Sequence, residues 1–299
     1  MCKVPFPKVA LTYEAQLQLL KDRGLSVDDE PKALFLLEKI SYYRLSGYWF
    51  PLLANKKDHF FKPGATFETA FKLYCFDKEL RKLFISELKK NEVAIRAKMI
   101  YVLSHEYGPF WFQDAALFRD PVSHARTLAK IGDEYTRSDE EFIVAFKDKY
   151  SNPLPPSWMI LEITSFGTLS MLYKYLKPGR SKRNIAHYFG LSDRVFETWL
   201  HSIVYLRNVC AHHTRLWNRA MSIRPQFPIT PLKTWINNTA IPSNKTYFML
   251  SMIKYLLLTV NPGNTFTLKI TDLLEKYPNI DILAMGFPTD WQDEELWQK

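Results

Sequence analysis

TFETAFKLYCFDKELRKLFISELKKNEVAIRAKMIYVLSHEY, residues 66–107, decides the fold class. Apolar residues recur in it at three- and four-residue spacing for about eleven turns, and its interior holds neither Pro nor Gly. Thr66 and Thr69 supply a helix start, and Gly108-Pro109 supplies a stop. A strand cannot run this long, so the spacing predicts one continuous helix.

The flanking sequence follows the same period. Thr12 caps a first helix that Gly24 ends, and Asp28 or Asp29 opens a second with Pro31 in its first turn. An aromatic segment, residues 41–49, ends before Pro51, and Pro63-Gly64 marks a turn. Beyond the long helix, segments 121–137, 139–150 and 157–176 read as helices, the last with an irregularity at Ser165-Phe166-Gly167. Lys177-Pro178-Gly179-Arg180-Ser181-Lys182-Arg183 reads as a basic loop, and Ser192 caps a further helix. Residues 225–242 are interrupted by proline, Ser243 caps an apolar helix to about Val260, and segments 267–277 and 290–297 are short terminal helices. Nothing repeats, and no low-complexity linker appears. The expected fold is all-α: a helical arm over residues 1–60, a helical core over 61–265 and a C-terminal extension over 266–299, one cooperative unit.

With 47% hydrophobic and 24% charged residues, the chain can bury a core, and it lacks the composition of a disordered polymer. The N-terminal residues carry prolines and lysines where a secretory leader has an apolar run, and the most apolar segment is broken by Ser251 and Lys254. A soluble cytoplasmic protein is the expectation, with no membrane span. Cys2, Cys75 and Cys210 stand alone without disulfide or zinc spacing, and the scattered carboxylates form no metal signature, so neither a metal nor a cofactor is expected.

The net charge of +9 is unevenly placed. Between Thr198 and Thr271 there is no Asp or Glu, while Arg207, Arg215, Arg219, Arg224, Lys233, Lys245, Lys254 and Lys269 all fall there. A region of one sign attracts polyanions, and RNA is the natural partner; a solvated surface whose acids come from elsewhere in the fold explains the charge equally well. Lys177, Arg180, Lys182, Arg183, Arg215 and Arg219 are the candidate phosphate contacts. Tyr42, Tyr43, Tyr48 and Trp49 can stack on unpaired bases, although aromatics at helical spacing are more often core.

Within the acid-free region stands Arg207-Asn208-Val209-Cys210-Ala211-His212. The apolar stripe of its helix (Trp199, Leu200, Ile203, Val204, Leu206, Cys210) passes close to Arg207, so a buried guanidinium paired with Glu92 or Glu162 is expected. Asn208 and His212 share a face, whereas Arg207 and His212 diverge on an ideal helix. A single regular helix therefore does not close a site. Either the helix is distorted near Cys210, or two protomers combine their motifs. Cutting RNA without metal needs a base for the 2′-hydroxyl, an acid for the leaving 5′-oxygen and a cation for the phosphorane. Histidine and arginine meet those needs, with Asn208 orienting His212 or touching phosphate and His213 a rival to it.

Several segments together resemble the Abi family of abortive-infection proteins of the AbiD/AbiF type. They are ISYYRLSGYW (40–49), LYCFDKELR (73–81), EVAIR (92–96), PSWMILE (156–162), SFGTLS (165–170), LRNVCAHH (206–213) and RLWN (215–218). That family is similar to the HEPN superfamily of helical ribonucleases, whose motif Arg207, Asn208 and His212 match. The resemblance implies a HEPN-like helical bundle, a homodimer with a composite site, and metal-independent endoribonuclease activity in a toxin-like phage-defence role. Glu92, Glu162 and His213 would support the site. The alternative is a non-catalytic protein that holds a small regulatory RNA.

Overall fold

A computed structural model describes residues 5, 7 and 9–298; Cys2 and most of the leading segment lie outside them. Thirteen α-helices and one two-stranded ribbon make up the regular structure of the described residues, apart from short 3-10 turns. The chain divides into two compact units, Met1–Leu80 with Leu273–Ile280, and Arg81–Asp272 with Asp281–Lys299.

The first unit begins with α1 (Tyr13–Asp22), α2 (Glu30–Ile40) and α3 (Tyr42–Trp49). Their starts follow from side-chain chemistry. Thr12, Asp29 and Ser41 each accept a hydrogen bond from a backbone N–H of the first turn, satisfying donors that the helix itself leaves open. Only Ser41 separates α2 from α3, and the reversal holds it at φ 79°, a region that L-residues rarely occupy. The chain then forms β1 (Leu53–Asn55) and β2 (Phe60–Phe61), an antiparallel ribbon that includes a register irregularity. Phe61 N–H donates to the Arg23 carbonyl at 2.9 Å, tying the ribbon to the end of α1. Leu17, Leu20, Leu37, Leu45, Trp49 and Phe76 are buried here. Tyr48 donates to the buried Asp77 carboxylate at 2.6 Å.

A 41-residue helix, α4 (Phe67–Tyr107), runs from the first unit into the second, as its unbroken periodicity predicts. Gly108 ends it at φ 83°, the left-handed conformation in which glycine commonly stops a helix. The second unit continues with α5 (Pro121–Arg137), α6 (Glu141–Lys149), α7 (Ser157–Ile163), α8 (Phe166–Tyr175), α9 (Arg180–Tyr188) and α10 (Asp193–Ala211). After a long irregular stretch come α11 (Thr246–Val260), α12 (Phe266–Lys276), whose last turn belongs to the first unit, and α13 (Glu295–Gln298).

Helix α11 is buried almost from end to end, and α10 packs against α8, α9 and α11. Trp199 of α10, Trp235 of the irregular stretch and Tyr255 of α11 form an aromatic cluster with ring centroids 4.9, 5.5 and 5.6 Å apart. Tilted and edge-on rings at such separations add attraction beyond the area they bury. The irregular stretch draws its acids from the C-terminal tail: Glu294 accepts from the backbone of Asn237 and Asn238 at 2.7 and 3.1 Å, and Thr234 donates to Glu295. No helix among the described residues is long and apolar enough to cross a membrane.

Sequence and structure part at residues 177–183. Arg180, Lys182 and Arg183 lie on α9, and only residues 177–179 are outside a helix. The expected irregularity near Ser165 is a full break between α7 and α8. Thr164 is extended there, and Ser165 restarts the helix by capping Thr168 N–H.

Candidate functional site

Helix α10 carries the motif, and its ending shapes the site. Ala211 is its last helical residue and His212 its C-cap. His213 follows at φ 54°, its N–H bonded to the Cys210 carbonyl at 3.1 Å, while Thr214 N–H reaches the Val209 carbonyl at 3.0 Å. These are the two bonds of a Schellman motif, with His213 in the left-handed position that glycine usually fills. The helix is therefore regular through the motif and terminates on His212.

Arg207, Asn208, His212 and His213 are all exposed. The expectation of a buried, paired Arg207 is corrected. Its guanidinium donates to the Asn208 side-chain oxygen at 3.4 Å, and it forms no ion pair among the described residues. Glu92 is taken by Arg96, one turn along α4, at 3.0 Å. Glu162 is exposed, likewise without an ion pair among the described residues.

At about 100° per residue, His201, Tyr205, Asn208 and His212 fall within roughly 60° of one another on α10. Arg207 stands about 100° to one side of Asn208. The chain beyond the helix end supplies a different cation to the stripe. Asn218 turns at φ 50°, and Arg219 donates to the Tyr205 hydroxyl at 3.1 Å with its guanidinium 5.9 Å from the ring. Although partial burial opposes it, bonds from Ser222 and Arg219 together with the Arg219 charge hold the Tyr205 phenol below its ordinary value. Partial burial, and then the charge of Lys174, keep His201 below the usual histidine range.

The break between α7 and α8 lies against this helix. Arg96 donates to the Thr164 carbonyl at 3.1 Å, fixing the extended residue. Gly167, in the first turn of α8, faces Val204, whose methyl would lie 3.9 Å from a Cβ placed on the glycine. Val204 is one turn before Arg207 and Asn208, so the break sets the wall beside the motif. Sequence reasoning misses His201, Tyr205 and Gly167. The spacing 201, 205, 208, 212 is the signal for the first two; Gly167 lies in the segment read as irregular, but its approach to Val204 is set by tertiary packing.

The candidate phosphate contacts separate sharply. Lys177, Arg180 and Arg183 are exposed, and Arg215 and Arg219 are half-buried. Lys182 is only 4% exposed and points inward, bonding to Glu197 at 2.8 Å and to the carbonyls of Lys174 and Leu176 at 3.2 Å. It is a structural residue, not a phosphate contact. Burial lowers its pKa, and Glu197 opposes that shift. The four lysines of the acid-free stretch also have partners within the protein, and all but the exposed Lys269 are at least partly buried. Lys233 bonds to Thr259, Lys245 to the Ala284 carbonyl, Lys254 to Asn264 and Lys269 to Glu87. The cations nearest the motif in sequence are thus guanidiniums. Among the described residues no three His, Cys, Asp or Glu side chains group as a metal set.

The exposed end of α10 thus carries Arg207, Asn208 and His212, with the half-buried Tyr205 on the same side as Asn208. The profile of the Abi-like protein family matches residues 35–218, well over half the chain and ending just past the motif, and the chain belongs to that family. Its association is with abortive infection, a phage-defence response. No curated protein and no solved structure matched significantly.

Proposed function

We propose that this protein is a metal-independent endoribonuclease acting in abortive infection, with α10 and its terminal turn as the active site. One observation carries the reading: Arg207, Asn208 and His212 are exposed and form no ion pair among the described residues, so the fold gives them no core duty. A motif kept for folding would have its arginine buried and paired.

In the reaction an imidazole takes the proton of a ribose 2′-hydroxyl, whose oxygen attacks phosphorus. The bond from phosphorus to the 5′-oxygen breaks, and a second acid protonates the departing oxygen. The products are a 2′,3′-cyclic phosphate and a 5′-hydroxyl. His212 serves as one proton carrier, and guanidinium groups offset charge on the phosphorane. One chain supplies one His212, and its Arg207 leaves the helix roughly 140° round from His212, its guanidinium reaching no further than Asn208 among the described residues. A homodimer that brings two α10 ends together would pair the histidines as acid and base and turn each Arg207 toward the neighbouring stripe.

The test is incubation of single-stranded RNA with purified protein in EDTA. Cleavage to cyclic-phosphate ends, lost in His212→Ala, is expected. A strict need for a divalent metal, or undiminished cutting by His212→Ala, overturns the mechanism. Binding without any cleaved product would instead favour a protein that holds a small RNA.

A further inference from the structure

The first unit contains a pocket of about 230 Å³ walled by Arg23, Tyr42, Tyr43, Trp49, Phe50 and His59, among others. Its volume lies below the roughly 300–1,000 Å³ of drug-sized sites, which leaves room for one planar ring system. None of the lining residues is a carboxylate. Arg23 is half-buried, donates to the Tyr42 hydroxyl at 3.2 Å and has no ion pair among the described residues. A cation held in an aromatic cleft without its own counterion is open to an external anion.

The placement of the rings divides the wall into a fixed half and an open half. Tyr42 packs edge-on to Trp49 at 5.1 Å, which fixes the first. Tyr43, beside it, is 89% exposed and presents its ring to water. Phe50 is also exposed, with the Lys56 ammonium 5.3 Å from its centroid. Four non-glycine residues among those described have positive φ, and two of them belong to this region: His59 lines the pocket, and Ser41 immediately precedes its two tyrosines. Backbone strain of this kind costs on the order of 1–3 kcal/mol per residue and collects where a side chain must be aimed.

Aromatic faces, an unpaired guanidinium and a nearby ammonium group fit a flat ring that carries an anion. We propose that this pocket binds an unpaired nucleobase with its attached phosphate, the base stacking on Tyr43 and the phosphate meeting Arg23. The site lies apart in sequence from the Arg207–His212 motif, and its occupancy does not require that the motif cut RNA.

The source of the base, a strand or a free nucleotide, is separated by two probes. A fluorescent single-stranded 2′-O-methyl RNA octamer lacks the attacking hydroxyl, so binding is read without cleavage; AMP and UMP are then titrated as competitors. Tyr43→Ala should weaken octamer binding roughly ten-fold, as loss of one stacked base does, and Tyr43→Phe should bind like wild type. Arg23→Gln should weaken it comparably and lower the salt slope by about 0.7. Thermal melts of each variant exclude misfolding. Competition by AMP or UMP assigns the site to free nucleotides as well; its absence, with Tyr43 dependence intact, assigns it to a strand. Unchanged octamer affinity in folded Tyr43→Ala and Arg23→Gln overturns the proposal. So does capture of an acidic aromatic peptide by a protein that ignores both nucleotide probes. Failure of cleavage with normal Tyr43-dependent binding would defeat the ribonuclease reading alone.

Discussion

His212 and His213 are neighbours in sequence with opposite expected responses to mutation. His213 sits at φ 54° in the C-terminal cap, where an L-residue forfeits about 1–2 kcal/mol to the left-handed backbone. Glycine there removes that cost but adds about 0.5–1 kcal/mol of unfolded-state entropy. The net for His213→Gly is thus a gain of roughly 0.5–1 kcal/mol, or about 1–4 °C in Tm for a cooperative unit of this size. His213 makes a further interaction, and any part of it made by the side chain subtracts from the gain; His213→Asn, a residue tolerant of the same backbone, brackets the effect. His212 is at φ −83° with an exposed side chain, a backbone open to any residue, so His212→Ala should change stability by less than about 0.5 kcal/mol. Its cleavage rate should fall by roughly 10²–10⁴. The assay pairs thermal unfolding by circular dichroism with cleavage of a quenched fluorescent RNA. If His213→Gly and His213→Asn lose cleavage while His212→Ala retains it, the assignment is refuted.

Mixing His212→Ala with wild type should, if two chains share a site, lower cleavage below the share of wild-type chains present, because a mixed dimer holds a single His212; a loss that only follows dilution after subunit exchange counts against the composite site. Lys182→Met should cost about 3–5 kcal/mol in denaturant unfolding, because Glu197 and two carbonyls lose a buried partner; an unchanged midpoint would return Lys182 to the surface. Glu87 is buried, which raises its pKa, but hydrogen bonds from Lys90 and Lys269 prevail and hold it below the ordinary carboxylate value. Its stabilisation is therefore complete above about pH 4.3 and is lost as pH falls through the depressed value. The stability gap between wild type and Glu87→Gln should shrink on acidification across that window, and a gap that widens contradicts the sign.

Much of the architecture is legible because the relevant signals are local. Thr12, Asp29, Ser165 and Ser192 make the capping bonds their chemistry suggests, and the long helix stops where Gly108 allows it. Helix α9 is hard to read because its cap is Gly179, which makes no side-chain bond, and Lys182 turns its charge inward, where composition cannot show it. Arg207 is misread for a related reason. Periodicity puts it on the border of the buried arc, close to the line of Leu200, and only tertiary packing decides which side of that border is dry. Arg219 returns to Tyr205 across an irregular turn that no helical period describes.

The bonds that hold Lys233, Lys245 and Lys254 within the fold, and the exposed Lys269 to Glu87, have a chemical corollary. The other cations of the acid-free stretch are Arg207, Arg215, Arg219 and Arg224, all at least partly open to solvent, and none of them can be acylated at an amine. Neutralising Lys233, Lys245 and Lys254 would thus disturb packing and leave the arginines of the stretch unchanged. Full engagement of four guanidiniums gives this stretch a salt slope of about 3 on single-stranded RNA, half of what eight cations would give. Reagents that acylate amines would therefore leave the arginines of this stretch untouched.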